Sequence, residues 1–165
     1  MQANLLRDRV LDLLEYDPVD GSFTWVRPTH PRIKIGQPAG SVGKSNNRYV
    51  RIKIDGVTHY GHRLAFLIME GRMPEEVDHK DLNRSNNAWT NIRAATRGEQ
   101  NRNRPVQSRN RLGIKGVSFE YGRYRAKIRV DGKSVHLGSF DREQDAIEAY
   151  ATASRHHHGE FGRVS

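Results

Sequence analysis

Hydrophobic positions along the front of the chain follow first a helical and then a strand spacing. Apolar residues recur at helical spacing over residues 4–15, and a short apolar stretch at 62–70 predicts a second helix. Between them, residues 49–55 alternate apolar and charged side chains, which is typical of a strand with one buried face. An Asp-Gly pair then predicts a hairpin turn to a returning strand at 57–60. The pattern therefore predicts a mixed α+β chain.

Two polar stretches follow a different pattern. Residues 27–47 are rich in Pro, Gly, Ser and Asn and are predicted to be mostly loop. Residues 77–79 and 92–96 are predicted to form two short strands, which a polar and turn-rich loop connects. A short helix is predicted to follow over residues 97–103. This part of the chain is thus expected to fold as a strand pair followed by a helix.

The sequence pattern from residue 116 onward predicts three strands and one helix. Within residues 116–140, the second strand places its cations on one face, which we name the basic face: Arg123, Arg125, Lys127 and Arg129. On the third strand, His136 is expected to share the basic face, whereas Val135 is expected to look inward. Asp141 is predicted to cap the last helix, whose apolar stripe of small residues suits close packing on the sheet.

The composition is that of a folded protein without membrane segments. The 165 residues are 35% hydrophobic and 28% charged, which is too apolar for full disorder and suits one or two small domains. No apolar run reaches the length of a membrane span, and the first residues lack the apolar segment of a signal peptide. We therefore expect a cytoplasmic protein that is not secreted. The absence of cysteine excludes disulfides and thiolate zinc sites.

The charge indicates a polyanionic partner. A net charge of +9 and a pI of about 10.2 favour nucleic acid first and an acidic membrane surface second, and no protein partner is evident. Six arginines oppose a single glutamate between residues 93 and 111, six minus one giving +5: Arg93, Arg97, Arg102, Arg104, Arg109 and Arg111. Such a run is suited to lying along phosphates, although a solvated linker would have the same composition.

The candidate chemistry lies between residues 77 and 104. An aspartate stands beside a histidine at Asp78-His79, an asparagine follows at Asn91, and a short polar run contains Gln100. Carboxylate and amide oxygens are the ligands that hard cations prefer, and an imidazole titrates near neutrality, as a general base should. An Asp-His pair alone is a weak signal because such pairs often arise by chance.

This stretch resembles the HNH endonuclease motif, in the version that phage and intron-encoded homing enzymes carry. Asp78-His79 match the pair on the first strand, and Asn91 matches the position before the second strand. The resemblance extends through the preceding GHRLAFLIMEGRMPEEVDHKD. It implies one divalent metal ion, Mg²⁺ or Mn²⁺, held by Asp78 and Gln100. It also implies that His79 acts as the general base and that Asn91 orients the imidazole through its distal nitrogen.

One position departs from the family. Gln100 stands where the family places Asn or His, so Asn101 and Asn103 remain alternative ligands. Neighbouring residues of a strand point to opposite faces, so Asp78 and His79 converge on one phosphate only if the strand twists or the site wraps its end. Two alternatives stay open: a DNA-binding regulator whose site has lost catalysis, and an RNA-binding or structural basic protein.

The last third of the chain resembles the plant ethylene-response-factor (Apetala-type) DNA-binding domain. The matching stretches are GVSFEYGRYRAKIRV, HLGSFD and AIEAYATA. In that family a three-stranded sheet lies in the major groove, which implies that the basic face contacts bases and phosphates of double-stranded DNA. Four cations on one strand face would also repel one another unless an anion neutralised them, so the charge pattern favours the same interpretation.

These expectations define an organisation in three parts. Residues 1–104 are predicted to form a ββα-metal nuclease module of the HNH type. Residues 105–112 are predicted to be a basic linker, and residues 113–165 to form a DNA-binding domain of a three-stranded antiparallel sheet plus one helix. The implied activity is the nicking of DNA, which leaves 5′-phosphate and 3′-hydroxyl ends.

Overall fold

The computed structural model describes residues 2–43, 48–106, 110 and 112–164 of the chain. It divides into two compact units, Met1–Arg97 and Gly98–Ser165. The first module was predicted to end at residue 104, whereas this division places most of the following short helix in the second unit. Arg109 and Arg111, which belong to the predicted arginine run, lie outside the described residues.

The first unit combines two helices with small antiparallel sheets. Its elements, in chain order, are α1 (Gln2–Leu13), β1 (Leu14–Tyr16), β2 (Phe23–Trp25), β3 (Ser41–Val42), β4 (Val50–Ile54), β5 (Val57–Tyr60), α2 (Gly61–Glu70), β6 (Glu76–His79) and β7 (Ile92–Ala95). Strand β1 pairs with β2, β4 lies between β3 and β5, and β6 pairs with β7. The unit is therefore a mixed α+β structure, as predicted.

The two helices hold the core of this unit. Leu13 of α1, Ile52 of β4 and Leu67 of α2 are fully buried, and they belong to one hydrophobic cluster. The guanidinium of Arg7 donates hydrogen bonds to the carbonyls of Leu67 and Ile68, both at 3.1 Å. The carbonyl of Leu67 also accepts from the N–H of Gly71 at 3.1 Å, so Arg7 adds further hydrogen bonds to the last turn of α2. Helix α1 thus fixes the end of α2, the element directly before β6, which carries Asp78 and His79.

Two elements of the first unit differ from the prediction. The first helix ends at Leu13 rather than residue 15, because Leu14 begins a strand that pairs with Trp25 in the same core. Strand β3 lies within the predicted loop 27–47, and its two residues are exposed, so no apolar alternation marked it. Residues 44–47 of that loop lie outside the described part.

The second unit contains the predicted three-stranded sheet and helix. Its elements are α3 (Arg97–Asn103), β8 (Val117–Glu120), β9 (Arg123–Val130), β10 (Lys133–Phe140) and α4 (Glu143–His158), followed by one turn of 3₁₀-helix (Gly159–Phe161). Strand β9 is central and antiparallel to both neighbours. Ala126 and Ile128 of β9 are buried with Ala146 and Tyr150 of α4, so the small residues of α4 lie on the sheet as expected.

Two details of this unit correct the prediction. The residue that caps α4 is Arg142, without a side-chain hydrogen bond, whereas the carboxylate of Asp141 pairs with Arg123 at 3.0 Å. Val135 lies opposite buried Ile128 in the register but remains 42% exposed. In the described part of the chain, no helix combines the length and the apolar character that a membrane span requires.

Candidate active site

The β6–β7 hairpin places an ion pair inside the first unit. Asp78 lies directly opposite Arg93 in the strand register, and its residue is only 4% exposed. Both Nε and a terminal nitrogen of Arg93 bond to Oδ2 of Asp78, at 2.9 and 2.8 Å. A charge buried in this way is tolerated when it is paired and hydrogen-bonded. Arg93 was predicted to contact DNA, and the structure places its guanidinium on the candidate metal ligand.

His79 lies in a buried aromatic cluster. Its ring is 5.3 Å from that of His62 in an edge-on arrangement and 5.8 Å from that of Tyr49. Its Nε2 atom is 3.3 Å from Oδ1 of Asn87. Burial lowers the pKa of His79 below its ordinary value, and the contact with Asn87 opposes that effect. The imidazole is therefore neutral at physiological pH, which is the state that a general base requires.

The carboxylates near His79 come from two positions. Asp78, on the same strand, and Asp81, in the following loop, both raise the pKa of His79 electrostatically and oppose its burial. Partial burial raises the pKa of Asp81, but hydrogen bonds from Asn86, the Asn83 backbone and Asn91 keep that pKa below its ordinary value. The site therefore combines a neutral imidazole with two carboxylates, one of which pairs with Arg93.

Asn91 closes the loop between the two strands. Its Nδ2 donates to Oδ1 of Asp81 at 3.0 Å and to the carbonyl of Asn86 at 2.8 Å. Its Oδ1 accepts from the backbone N–H of Asp81 at 3.1 Å. The amide beside Nε2 of His79 belongs to Asn87, so the predicted contact between Asn91 and the distal nitrogen is replaced by another. The side chain of Asn91 therefore makes its hydrogen bonds within the loop, to Asp81 and Asn86.

Two residues of this cluster were not among the predicted site residues. His62 is the second residue of the apolar helix α2, and a histidine on such a helix is expected to be a packed residue. Asn87 lies in a polar loop without periodicity, where sequence gives no sign of burial. Burial lowers the pKa of His62 to about 3. In the described structure, Nδ1 of His62 and Nδ2 of Asn87 are buried without a hydrogen-bond partner.

The remaining candidate ligands lie on α3. Gln100 is half-buried, Asn101 is exposed, and Asn103 is 5% exposed. Residues three apart share one side of a helix, so Gln100 and Asn103 lie together, and Asn101 points away from them. In the described residues, no three His, Asp or Glu side chains gather closely enough to hold a metal ion by themselves. A metal site would therefore need amide or phosphate oxygens as well as a carboxylate.

The predicted arginines around α3 differ in exposure. Arg97 and Arg104 are exposed, whereas Arg102 is half-buried, and its carbonyl accepts a hydrogen bond from Lys115 Nζ at 2.6 Å. A cleft of about 540 Å³ in the second unit has Arg104 and Lys115 in its lining. Burial, with the charge of Arg163, lowers the pKa of Lys115 to about 8.

The basic face is partly neutralised by the protein itself. Arg125 pairs with Glu120 at 3.1 Å, and Arg123 pairs with Asp141 at 3.0 Å. Arg129 Nε donates to the carbonyl of Gly132 at 3.1 Å. A shallow groove of about 210 Å³ lies on this face, lined by Arg125, Lys127, Ser134 and His136. Repulsion among the four cations is therefore relieved without an external anion, which weakens the inference drawn from their charge alone.

The segment that contains these residues matches a known protein family. The sequence model described as "HNH endonuclease" matches residues 59–102, a segment that begins in β5 and ends in α3. It includes Asp78, His79, Asn91 and Gln100. This part of the chain is accordingly similar to an HNH endonuclease domain. Nucleases of this type generally use a divalent metal ion.

A relative of viral origin supports the same class. An uncharacterised HNH endonuclease of Acanthamoeba polyphaga mimivirus is 31% identical to this chain over 103 residues. The aligned part covers 61% of this chain and 54% of the relative, so the chain spans about half the length of the relative that it matches. No solved structure matches the chain.

Proposed function

We propose that the protein is a metal-dependent DNA endonuclease in which His79 is the general base and Asp78 and Gln100 hold one divalent cation. The observation that carries this proposal is the buried, neutral imidazole of His79 beside the carboxylate of Asp78, within the segment that matches the HNH family. Mg²⁺ or Mn²⁺ would suit the oxygen ligands.

The donor atoms fit a hard cation. Two nitrogens of Arg93 bond to Oδ2 of Asp78, and a carboxylate has two oxygens with about four acceptor positions, so these two bonds alone do not occupy all of them. Gln100 offers an amide oxygen, and Asn103 on the same side of α3 is the alternative. When bound, the cation would neutralise charge that develops on the leaving oxygen of the phosphodiester.

Protein side chains accept the proton of the attacking water and hold the loop of the site in place. The neutral imidazole of His79 takes a proton from a water molecule, and the water oxygen attacks phosphorus. The bond from phosphorus to the 3′ oxygen breaks, and this oxygen takes up a proton from solvent water, which leaves a 5′-phosphate and a 3′-hydroxyl. Asn91 keeps the loop between β6 and β7 closed through Asp81 and Asn86. One such site per chain favours nicking of a single strand.

The second unit supports DNA docking. Its antiparallel sheet carries the basic face on β9 and β10, next to a groove lined by Lys127 and His136. We propose that this face contacts the major groove of duplex DNA, as the resemblance to the ethylene-response-factor domain implies. Arg97, Arg102 and Arg104 would contact backbone phosphates. A phage or mobile-element endonuclease of the homing type fits these two units.

The test is plasmid nicking with Mg²⁺ or Mn²⁺ and with a chelator. We expect the parent protein to convert supercoiled plasmid to the open circle only when the metal is present. His79→Ala and Asp78→Ala should lower the rate at least a hundredfold. Thr90→Ala, which changes an exposed side chain in the same loop, serves as the matched control and should nick normally. Nicking that survives both site changes would overturn the mechanism.

A catalytically inactive DNA-binding regulator is the second candidate. Two observations favour it: glutamine stands at position 100, and Asp78 is already paired with Arg93. It predicts duplex binding without metal-dependent nicking by the parent protein. If the parent nicks, Gln100→Ala and Asn101→Ala separate the candidate ligands, because only the former should raise the metal concentration needed for half-maximal rate.

A further inference from the structure

The sheet of β3, β4 and β5 has one buried and one exposed face. Both isoleucines of β4 are buried in the core of the first unit, whereas the cations that alternate with them are exposed. In the register, Tyr60 lies opposite Arg51, and Thr58 lies opposite Lys53. Side chains that face each other across two strands share one side of the sheet. We name this side the outer sheet face: Arg51, Lys53, Thr58 and Tyr60, all exposed.

The two cations of the outer sheet face lack carboxylate partners. In the part of the chain that the structure describes, neither Arg51 nor Lys53 forms an ion pair. Asp55, the acidic residue of the same hairpin, is engaged by Arg9, which donates to both of its carboxylate oxygens at 2.8 and 3.0 Å. On the basic face of the second unit, by contrast, two of the arginines pair with carboxylates. The outer sheet face therefore presents two positive charges that the described protein does not neutralise.

Aromatic rings connect the outer sheet face to the candidate active site. The ring of Tyr60 is stacked on that of His62 at 5.6 Å and lies 5.4 Å from that of Tyr49. The ring of Tyr49 is 5.8 Å from the ring of His79, and the guanidinium of Arg84 lies 5.1 Å from its centre. A ligand that covers Arg51 and Tyr60 would therefore lie beside the candidate site of the same unit.

The hairpin that carries these cations shares its local sequence with the basic face. Residues 48–56 read RYVRIKIDG, and residues 123–132 read RYRAKIRVDG. Each stretch alternates exposed cations with buried or half-buried apolar residues and ends in an Asp-Gly turn. The aspartates of the two turns, Asp55 and Asp131, have positive φ angles of 47° and 49°. The same pattern thus gives each unit an exposed strand surface with alternating cations.

We propose that the outer sheet face binds the phosphate backbone of duplex DNA beside the candidate active site, through Arg51 and Lys53. Alternate residues of a strand are about 7 Å apart, and one DNA strand carries a phosphate for about every 3.4 Å of helix axis, so the two cations reach different phosphates. A polyanion is the occupant that complements two positive charges without carboxylate partners. The inference rests on the proposed function for the identity of the substrate, and it gives the first unit a DNA contact of its own.

The experiment measures how DNA binding depends on salt. Full-length protein is titrated onto a labelled duplex oligonucleotide in the presence of a chelator, which prevents cleavage, and fluorescence anisotropy gives the binding constant at several NaCl concentrations. Loss of one phosphate contact lowers the slope of log K against log salt by about 0.9. We expect this loss in Arg51→Gln and again in Lys53→Gln, and about twice the loss in the double variant.

Arg72→Gln is the matched control. It removes one charge from an exposed side chain of the same unit, just beyond the end of α2 that lies opposite Tyr60. Its slope should equal that of the parent protein. Equal losses in Arg51→Gln, Lys53→Gln and Arg72→Gln would reflect net charge alone and would overturn the proposal. Unchanged slopes in Arg51→Gln and Lys53→Gln would overturn it as well.

A single-stranded oligonucleotide of the same length tests the form of the DNA. A loss of slope that occurs with the single strand but not with the duplex would overturn the proposal and assign the outer sheet face to single strands. The binding measurement requires no cleavage. If the parent protein fails to nick plasmid, the proposed function fails, and the salt slopes still decide the role of Arg51 and Lys53.

Discussion

The β6–β7 hairpin and the basic face use charge in opposite ways. In the hairpin, Asp78 and Arg93 form an ion pair, and their side chains are only 5% and 12% exposed. On the sheet, Arg123 and Asp141 form an ion pair, and their side chains are 51% and 84% exposed. A pair in a low-dielectric interior interacts strongly and leaves a large penalty when one partner is lost, whereas an exposed pair is screened by water. Function in the hairpin should therefore depend on single residues, and function on the sheet should be shared among several.

The largest expected effect comes from separating the buried pair. Asp78→Ala should lower the free energy of unfolding by about 3–5 kcal/mol, because it removes the carboxylate that pairs with the buried charge of Arg93. Arg123→Ala, which removes half of an exposed pair, should change it by less than about 1 kcal/mol. Urea denaturation of both variants measures the contrast, and equal losses would remove the distinction between the two regions.

A double change separates the stability of this pair from its chemistry. Asp78→Ala combined with Arg93→Leu removes both charges and should recover most of the lost stability. It should not recover nicking, because the carboxylate that we assign to the cation is still missing. Nicking by the stable double variant would exclude Asp78 as a ligand.

The next effect is acid sensitivity of the first unit. The pKa of His62 is about 3 in the folded state and near 6.5 when unfolded, so the unfolded state binds more protons below pH 6.5. Stability should therefore fall as the pH drops from 6.5 towards 3, by up to about 4 kcal/mol from this residue. The lowered pKa of His79 acts in the same direction.

Urea denaturation at several pH values measures this effect. His62→Phe should flatten the acid slope between pH 6.5 and 3, because it removes the group that resists protonation in the fold. Phe66→Leu, a buried change on the same helix without a titrating group, should lower stability by the same amount at every pH. A slope that is unchanged in His62→Phe would contradict the assignment.

The smallest expected effect lies on the basic face. Lys127→Ala should reduce the salt dependence of DNA binding by about one phosphate contact. Glu120→Gln should increase it, because the change releases Arg125 from its carboxylate partner. Binding of a duplex measured across salt concentrations gives both slopes. Opposite signs would support the proposed docking face, and two unchanged slopes would contradict it.

Sequence pattern predicted elements better than it predicted contacts. Alternation and turn residues identified β4, β5, β6, β7 and the sheet of the second unit, because these signals are local. Strand β3 was missed because its two residues are exposed and carry no apolar signal. Asp141 was predicted as a helix cap, and an arginine on the neighbouring strand engages it instead, which spacing along the chain does not reveal.

In the candidate site, too, the sequence predicted residues but not their contacts. Asp78 and His79 were identified as residue types with suitable chemistry, and the matched family segment contains both. The pairing of Asp78 with Arg93 depends on the register of β6 and β7. Packing sets this register, and the residues of one strand alone do not reveal it. Asn87 was indistinguishable from its polar neighbours because its burial depends on Tyr16 and Gly21, which are more than sixty positions away.

Buried Asn87 accepts a hydrogen bond from the Tyr16 hydroxyl at its backbone carbonyl, and Gly21 lies close to its backbone, which bears on where this domain begins. The matched segment begins at residue 59, whereas Tyr16 and Gly21 precede it. A fragment limited to that segment would keep Asp78 and His79 but lose Tyr16 and Gly21, which contact the loop after β6 at Asn87. The smallest fragment that keeps the proposed site folded should therefore include the first two strands.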